Sequence, residues 1–145
     1  MTAELEKSPD TLKVGDRVEL IFPARGDLVV LARLVTSAIS ARAGFDIEEL
    51  EDLRLAVGEL CLLSLHGSHD RTGDLHLEFT VFDDAIDISC TLMGATGGGE
   101  RVSDLPDDDQ LSEQILSALV DDYGRHRDDG SARAWLRKRR SGHGA

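Results

Sequence analysis

Between Leu60 and Leu65 only Ser64 is polar. The run sits inside a longer helical pattern of Leu50, Leu53, Leu55, Ala56, Val57, Leu60, Cys61, Leu63 and Leu65, too broad for a single stripe. A helix apolar on nearly all sides must be covered nearly all round. Whatever else the chain builds therefore has to wrap this segment, which is the expected central core helix. Asp46 stands as its N-cap, with Glu49 three residues on as the capping-box partner, and the helix is expected to run to about His66. The 145 residues make one domain. A domain of that size buries roughly two-thirds or more of its unfolded surface and needs no disulfides. With 41% hydrophobic residues but only 4% aromatic, aliphatic side chains must build the core.

The elements around that helix are legible from their periods. Arg17–Phe22 alternates and reads as a strand that Pro23 ends. From Gly26 to Ala43, Leu28, Leu31, Leu34, Val35, Ala38 and Ile39 recur at three and four, an amphipathic helix that Gly44 terminates. Asp74–Phe82 and Ala85–Met93 alternate about an Asp83-Asp84 turn, a hairpin. Residues 94–109 are rich in Gly, Asp and Ser and read as a long loop. Leu111–Tyr123 is expected as a third helix, Gly124–Asp129 as a short strand, Asp129-Gly130 as a turn and Ser131–Arg139 as a closing strand. The order β-α-α-β-β-α-β-β predicts an α+β two-layer sandwich, with three helices on one face of a mixed, mainly antiparallel sheet. Residues 1–15 read as a flexible leader, 16–140 as the single domain and 141–145 as a tail.

The net charge of −12 disfavours contact with phosphate backbones and suits a basic protein partner. The basic cluster Arg133, Arg137, Lys138, Arg139 and Arg140 breaks the pattern and is expected at a sheet edge and frayed tail, not on nucleic acid. Cys61 and Cys90 sit in apolar runs and read as buried thiols of a reducing compartment. No apolar stretch approaches the ~20 residues that span a bilayer. The N-terminus carries no signal-peptide run, so a cytoplasmic protein without membrane contact is expected.

Four stretches carry a resemblance: Phe22-Pro23-Ala24-Arg25; Ala32-Arg33; Asp52-Leu53-Arg54-Leu55-Ala56-Val57-Gly58-Glu59-Leu60-Cys61; and Ala118–Asp122 with Gly130-Ser131 and Leu136-Arg137-Lys138. In this order and at these separations the chain, over roughly residues 17–139, resembles the anti-sigma-factor serine kinases, small members of the GHKL ATPase superfamily with the Bergerat fold. The resemblance implies that Glu59 stands at the family's general base. It implies an Asn four residues on as Mg²⁺ ligand, an Asp after the third strand for the adenine amino group, and glycine turns for the phosphates. Here those positions hold Leu63, then Leu92 before Met93-Gly94, then Gln110-Leu111-Ser112. Leucine has no lone pair for Mg²⁺ or adenine. The family's later histidine position is Gly67, with His66 one residue short, and the Gly97-Gly98-Gly99 run lies in the loop. Such losses forfeit several charge-assisted contacts of about 1.5–3 kcal/mol each. Glu59 is then vestigial and no cofactor is expected, with Gly94 the one glycine left at a matching position.

The resemblance also implies that Arg33, from the Ala-Arg pair, contacts both a sigma factor and its competing anti-anti-sigma protein; a guanidinium fork suits a partner carboxylate. The implied function is an anti-sigma factor that sequesters an alternative sigma factor by partner switching in a stress response. An anti-anti-sigma antagonist would release it, and the chain would form a homodimer. Two alternatives stand beside it. One is an active serine/threonine-protein kinase using Glu59 with ATP and Mg²⁺; the other is a non-catalytic scaffold for another regulator. No metal site is expected: Cys61, His66 and His69 lack a well-placed ligand set, and the Asp104–Asp109 run lacks the spacing of a Ca²⁺ loop.

Overall fold

The computed structural model describes residues 11–65, 72–94, 106–128 and 131–141. Strands β1 (Arg17–Pro23), β2 (Asp74–Val81), β3 (Ala85–Met93), β4 (Asp122–Asp128) and β5 (Ser131–Arg139) form one sheet in the order β1-β2-β3-β5-β4. Every described pair is antiparallel, with Leu20 opposite Leu77, Phe79 opposite Ile88, and Ile88 opposite Leu136. Leu75, Leu77, Phe79, Ile86, Ile88, Cys90 and Leu136 alternate inward and are fully buried, as the period of two predicts.

A short 3₁₀ turn, Gly26–Leu28, leads into helix α1 (Val29–Arg42). The helix ends on Gly44 at φ 90°, where the Gly44 N–H donates to Ala41 O and the Phe45 N–H to Ser40 O. That pair of bonds is a Schellman stop, and glycine adopts the left-handed residue it needs without strain. Helix α2 (Ile47–Leu65) opens on the predicted capping box. The Glu49 N–H donates to Asp46 Oδ1 at 2.8 Å, and the Asp46 N–H to Glu49 Oε1 at 3.0 Å. Ten of its nineteen residues are buried, and it packs against α1, the third helix and strands β2, β3 and β5, so it is the central helix. Ser64, the polar break in its apolar run, donates to Cys90 O of β3 at 3.1 Å; the hydroxyl is satisfied, so its burial is cheap. Leu55 departs from the expectation and stands exposed.

Two boundaries move. Helix α3 covers Pro106–Leu119, not Leu111–Tyr123. Proline is favoured at a first helical position because its missing N–H would find no partner there. At the far end Lys138 Nζ donates to Leu119 O at 2.8 Å, closing the last turn with a cation. Asp122 and Tyr123 belong to β4, because Asp122 and Tyr123 lie opposite Arg137 and Leu136 of β5. The basic strand β5 is not an edge, as expected, but lies between β3 and β4. Several of the cluster's charges are met by acids and carbonyls: Arg137 grips Asp87 at 2.6 and 2.9 Å, Lys138 reaches Asp52 at 3.4 Å, and Arg140, just past the strand, donates to Asp83 O at 2.9 Å. The Trp135 ring lies against Gly124 of β4, where an added Cβ would sit 2.7 Å from it. Before β1, the Leu12 N–H donates to Arg42 O and the Gly15 N–H to Val81 O, so the chain is attached to the domain from Leu12. The Asp129-Gly130 turn, residues 1–10 and residues 142–145 lie outside the described residues.

Candidate functional site

Glu59 projects from the middle of α2 toward α3. There the Ser112 hydroxyl donates to its Oε1 at 2.8 Å. Ser112 is 4% exposed, and Leu116, one turn later on α3, is fully buried. One turn after Glu59, Leu63 is 3% exposed, and Leu92 near the end of β3 is equally enclosed at 3%. All three leucines belong to the one hydrophobic core. The structure thus brings together Glu59 and Ser112, and sends Leu63 and Leu92 into that core. Gly94 follows β3 with φ 75°, a left-handed turn that spares it a side chain's strain. Gln110 is exposed on α3. An amide or carboxylate oxygen would be needed where Leu63 and Leu92 stand for a Mg²⁺–nucleotide to be held. The leucine side chains at those two positions do not fit that group. Two cavities among the described residues lie elsewhere, one between segment 11–14 and turn 41–44 and one beside Trp135 on the open sheet face.

Arg33 lies on the other side of α2. Its guanidinium rests on Gly58, where an added Cβ would stand 2.7 Å from Nη2 and 2.9 Å from Nε. Gly58 therefore gives the arginine its bed, and the charge sits at the α1–α2 seam rather than free on α1. On the same two helices, Val30 and Leu34 of α1 and Leu55 of α2 are exposed at 48%, 60% and 57%. Sequence reasoning missed this pairing, although a glycine inside an apolar helix is a signal of close packing. The thiol of Cys61, buried one turn beyond Gly58, is pushed well up by its hydrogen bond with Cys90 and by burial; the positive charge of Arg33 opposes this. Both cysteines are free and buried, and the raised Cys61 thiol is a poor nucleophile.

At the start of α2, Glu49 uses both oxygens. One closes the capping box; the other accepts from the Ser141 backbone N–H at 2.6 Å and from its hydroxyl. Burial opposes the charge, but the Ser141 and Asp46 hydrogen bonds and the charge of Lys138 outweigh it and hold the carboxyl below its ordinary range. His66, His69, Gly67, Gly97–Gly99 and Asp104 lie outside the described residues, and the side chains of Asp107–Asp109 do too. No helix among the described residues is long and apolar enough to cross a membrane.

Comparison with known proteins bears on this arrangement. A family model described as the histidine kinase-like ATPase domain matches residues 22–141. The serine-protein kinase RsbW of Bacillus licheniformis is 32% identical over 78 residues, which cover 52% of this chain and 49% of that protein. The match thus spans about half the length of that relative. The serine-protein kinase RsbW of Halalkalibacterium halodurans is 25% identical over 128 residues, covering 79% of this chain and 78% of that protein. The crystal structure of the RsbU and RsbW domains of Rv1364c from Mycobacterium tuberculosis superposes with a TM-score of 0.66 at 18% identity. It covers 86% of this chain and 32% of that one, a likeness of fold. The resemblance carried by Asp52–Cys61 and its companion stretches is borne out.

Proposed function

The chain belongs to the histidine kinase-like ATPase domain family, and from that premise we propose that it acts as an anti-sigma factor by binding alone. It sequesters an alternative sigma factor and yields it when an anti-anti-sigma protein competes for the same surface. The carrying observation is the bond between Ser112 and Glu59 beside the buried Leu63 and Leu92. The carboxylate at the base position is already engaged, and the neighbouring positions offer carbon where a nucleotide needs oxygen and open backbone. The exposed apolar side chains Val30, Leu34 and Leu55, on the two helices whose seam holds Arg33, support the binding half of the reading. Interfaces of this kind centre on an arginine or aromatic anchor enclosed by apolar contacts.

A second reading is a working serine kinase. It is favoured by the relatives' name and by Glu59, which keeps a carboxylate at the family's base and is only partly buried. Calorimetric titration with ATP and Mg²⁺, paired with melting curves, separates the two. Binding by partners alone expects no heat and an unmoved midpoint. A saturable heat with a raised midpoint would sink that reading and put the kinase first. Co-purification with candidate sigma factors then tests sequestration itself, and light scattering tests the proposed homodimer.

A further inference from the structure

The face of the sheet opposite the helices carries a second grouping of chemistry. Glu19 of β1 lies directly opposite Glu78 of β2, and His76 is two residues from Glu78 along the same strand. Side chains two apart on a strand share a face, so an imidazole and two carboxylates converge. Their ligand atoms all lie within 4.8 Å of one another. His76 Nε2 is 3.7 Å from Glu19 Oε1, too far for a hydrogen bond. That nitrogen is shielded from solvent and has no hydrogen-bond partner. Arg17 Nη2 takes Oε2 of Glu19 at 3.0 Å and lies 3.4 Å from Oε2 of Glu78. The guanidinium thus engages Oε2 of each carboxylate and leaves Oε1 of Glu19 turned toward the unpartnered imidazole nitrogen.

We propose that Glu19, His76 and Glu78 form a binding site for a divalent transition-metal ion of the Zn²⁺ kind. One imidazole nitrogen with two carboxylate oxygens suits a borderline cation, whereas Mg²⁺ and Ca²⁺ prefer oxygen alone. Bonds of about 2.0–2.2 Å in a tetrahedron place ligand atoms about 3.3 Å apart. The present spacing closes to that with small side-chain rotations on a solvated face. Two carboxylates directly opposite each other repel, and a cation between them relieves what Arg17 only partly offsets. Three protein ligands leave a fourth position for water or an outside donor. The site is separate from the α2–α3 junction, since the sheet stands between them.

Titration of the full chain with ZnCl₂, followed by calorimetry and by the melting midpoint, tests the site. One equivalent should bind in the micromolar range and raise the midpoint. His76→Asn and Glu78→Gln should each weaken that binding at least about tenfold, or 1.4 kcal/mol. Both side chains are half-buried on the face opposite the helices, outside the core, so the variants should keep the wild-type circular dichroism. His66→Asn and His69→Asn, made in parallel, should leave binding unchanged. In the wild type, the His76 ring-nitrogen resonances should move on addition of Zn²⁺. Absence of binding up to millimolar Zn²⁺, or binding that His76→Asn leaves intact, overturns the proposal.

Discussion

On its α3 side, helix α2 presents Glu59 to a serine hydroxyl and Leu63 to the core; on its α1 side it presents a bare glycine to an arginine. The first contact is closed. Ser112 bonds one oxygen of Glu59, and the apolar groups beside them have lost contact with water. The second is open: Arg33 is seated, yet Val30, Leu34 and Leu55 on the same helices remain wet. The difference teaches where each flank draws its stability. The α3 flank contributes to folding, and on the proposed reading it leaves a nucleotide few groups to bind. The exposed apolar side chains on the other flank contribute little to folding, and on the proposed reading they are what a partner would cover.

The hardest blow to the closed flank is Leu63→Asn, which returns an amide where the family places one. Loss of the buried leucine and burial of an amide without partners should together cost about 3–5 kcal/mol, read from denaturant midpoints. Nucleotide binding should not return. A tolerated Leu63→Asn would mean that the junction is roomy and wet, and the contrast would dissolve. The open flank is probed by Arg33→Ala. Stability should change by less than about 1 kcal/mol, while affinity for a sigma factor should fall by about 2 kcal/mol, roughly thirtyfold. Equal binding by variant and parent would move the partner face elsewhere.

Ser112→Ala is gentler, because Glu59 remains partly solvated. A loss of about 1 kcal/mol is expected, with faster hydrogen exchange along α3. Smallest is the effect of acid at Glu49. A carboxyl held below its unfolded pKa adds stability that is complete above that unfolded value. The contribution is lost as pH falls through the folded value. The melting midpoint should therefore drop as pH falls below about 4.3, and Glu49→Gln should flatten that limb. A parent and variant with parallel acid limbs would remove Glu49 from the account.

Local features of this architecture could be read from the chain directly. Asp46 and Glu49 announce their capping box because both partners lie within one turn. Leu75, Leu77 and Phe79 declare their facing because a strand's period is set residue by residue. What escaped reading depends on distant neighbours. The start of α3 at Pro106 was hidden in an acidic run that looks like loop, since nothing local says that the helix will dock on α2. Asp122 became strand because β5 offered it Arg137 as a pairing partner, and β5 became interior because β3 and β4 flank it. At the site, Glu59, Leu63 and Leu92 were legible as positions. The bond from Ser112 and the seat of Arg33 on Gly58 were not, since each joins two helices.

The packing of Trp135 on Gly124 has an experimental use. It is the one tryptophan of the chain, and its ring touches the glycine of the outermost strand β4. Its emission therefore reports the docking of that edge. Fluorescence and circular dichroism, followed through one denaturation, compare two clocks: the peeling of β4 and the melting of the helices. Coincident curves mean that the border strand is cooperative with the body, and an early fluorescence change means that it frays first.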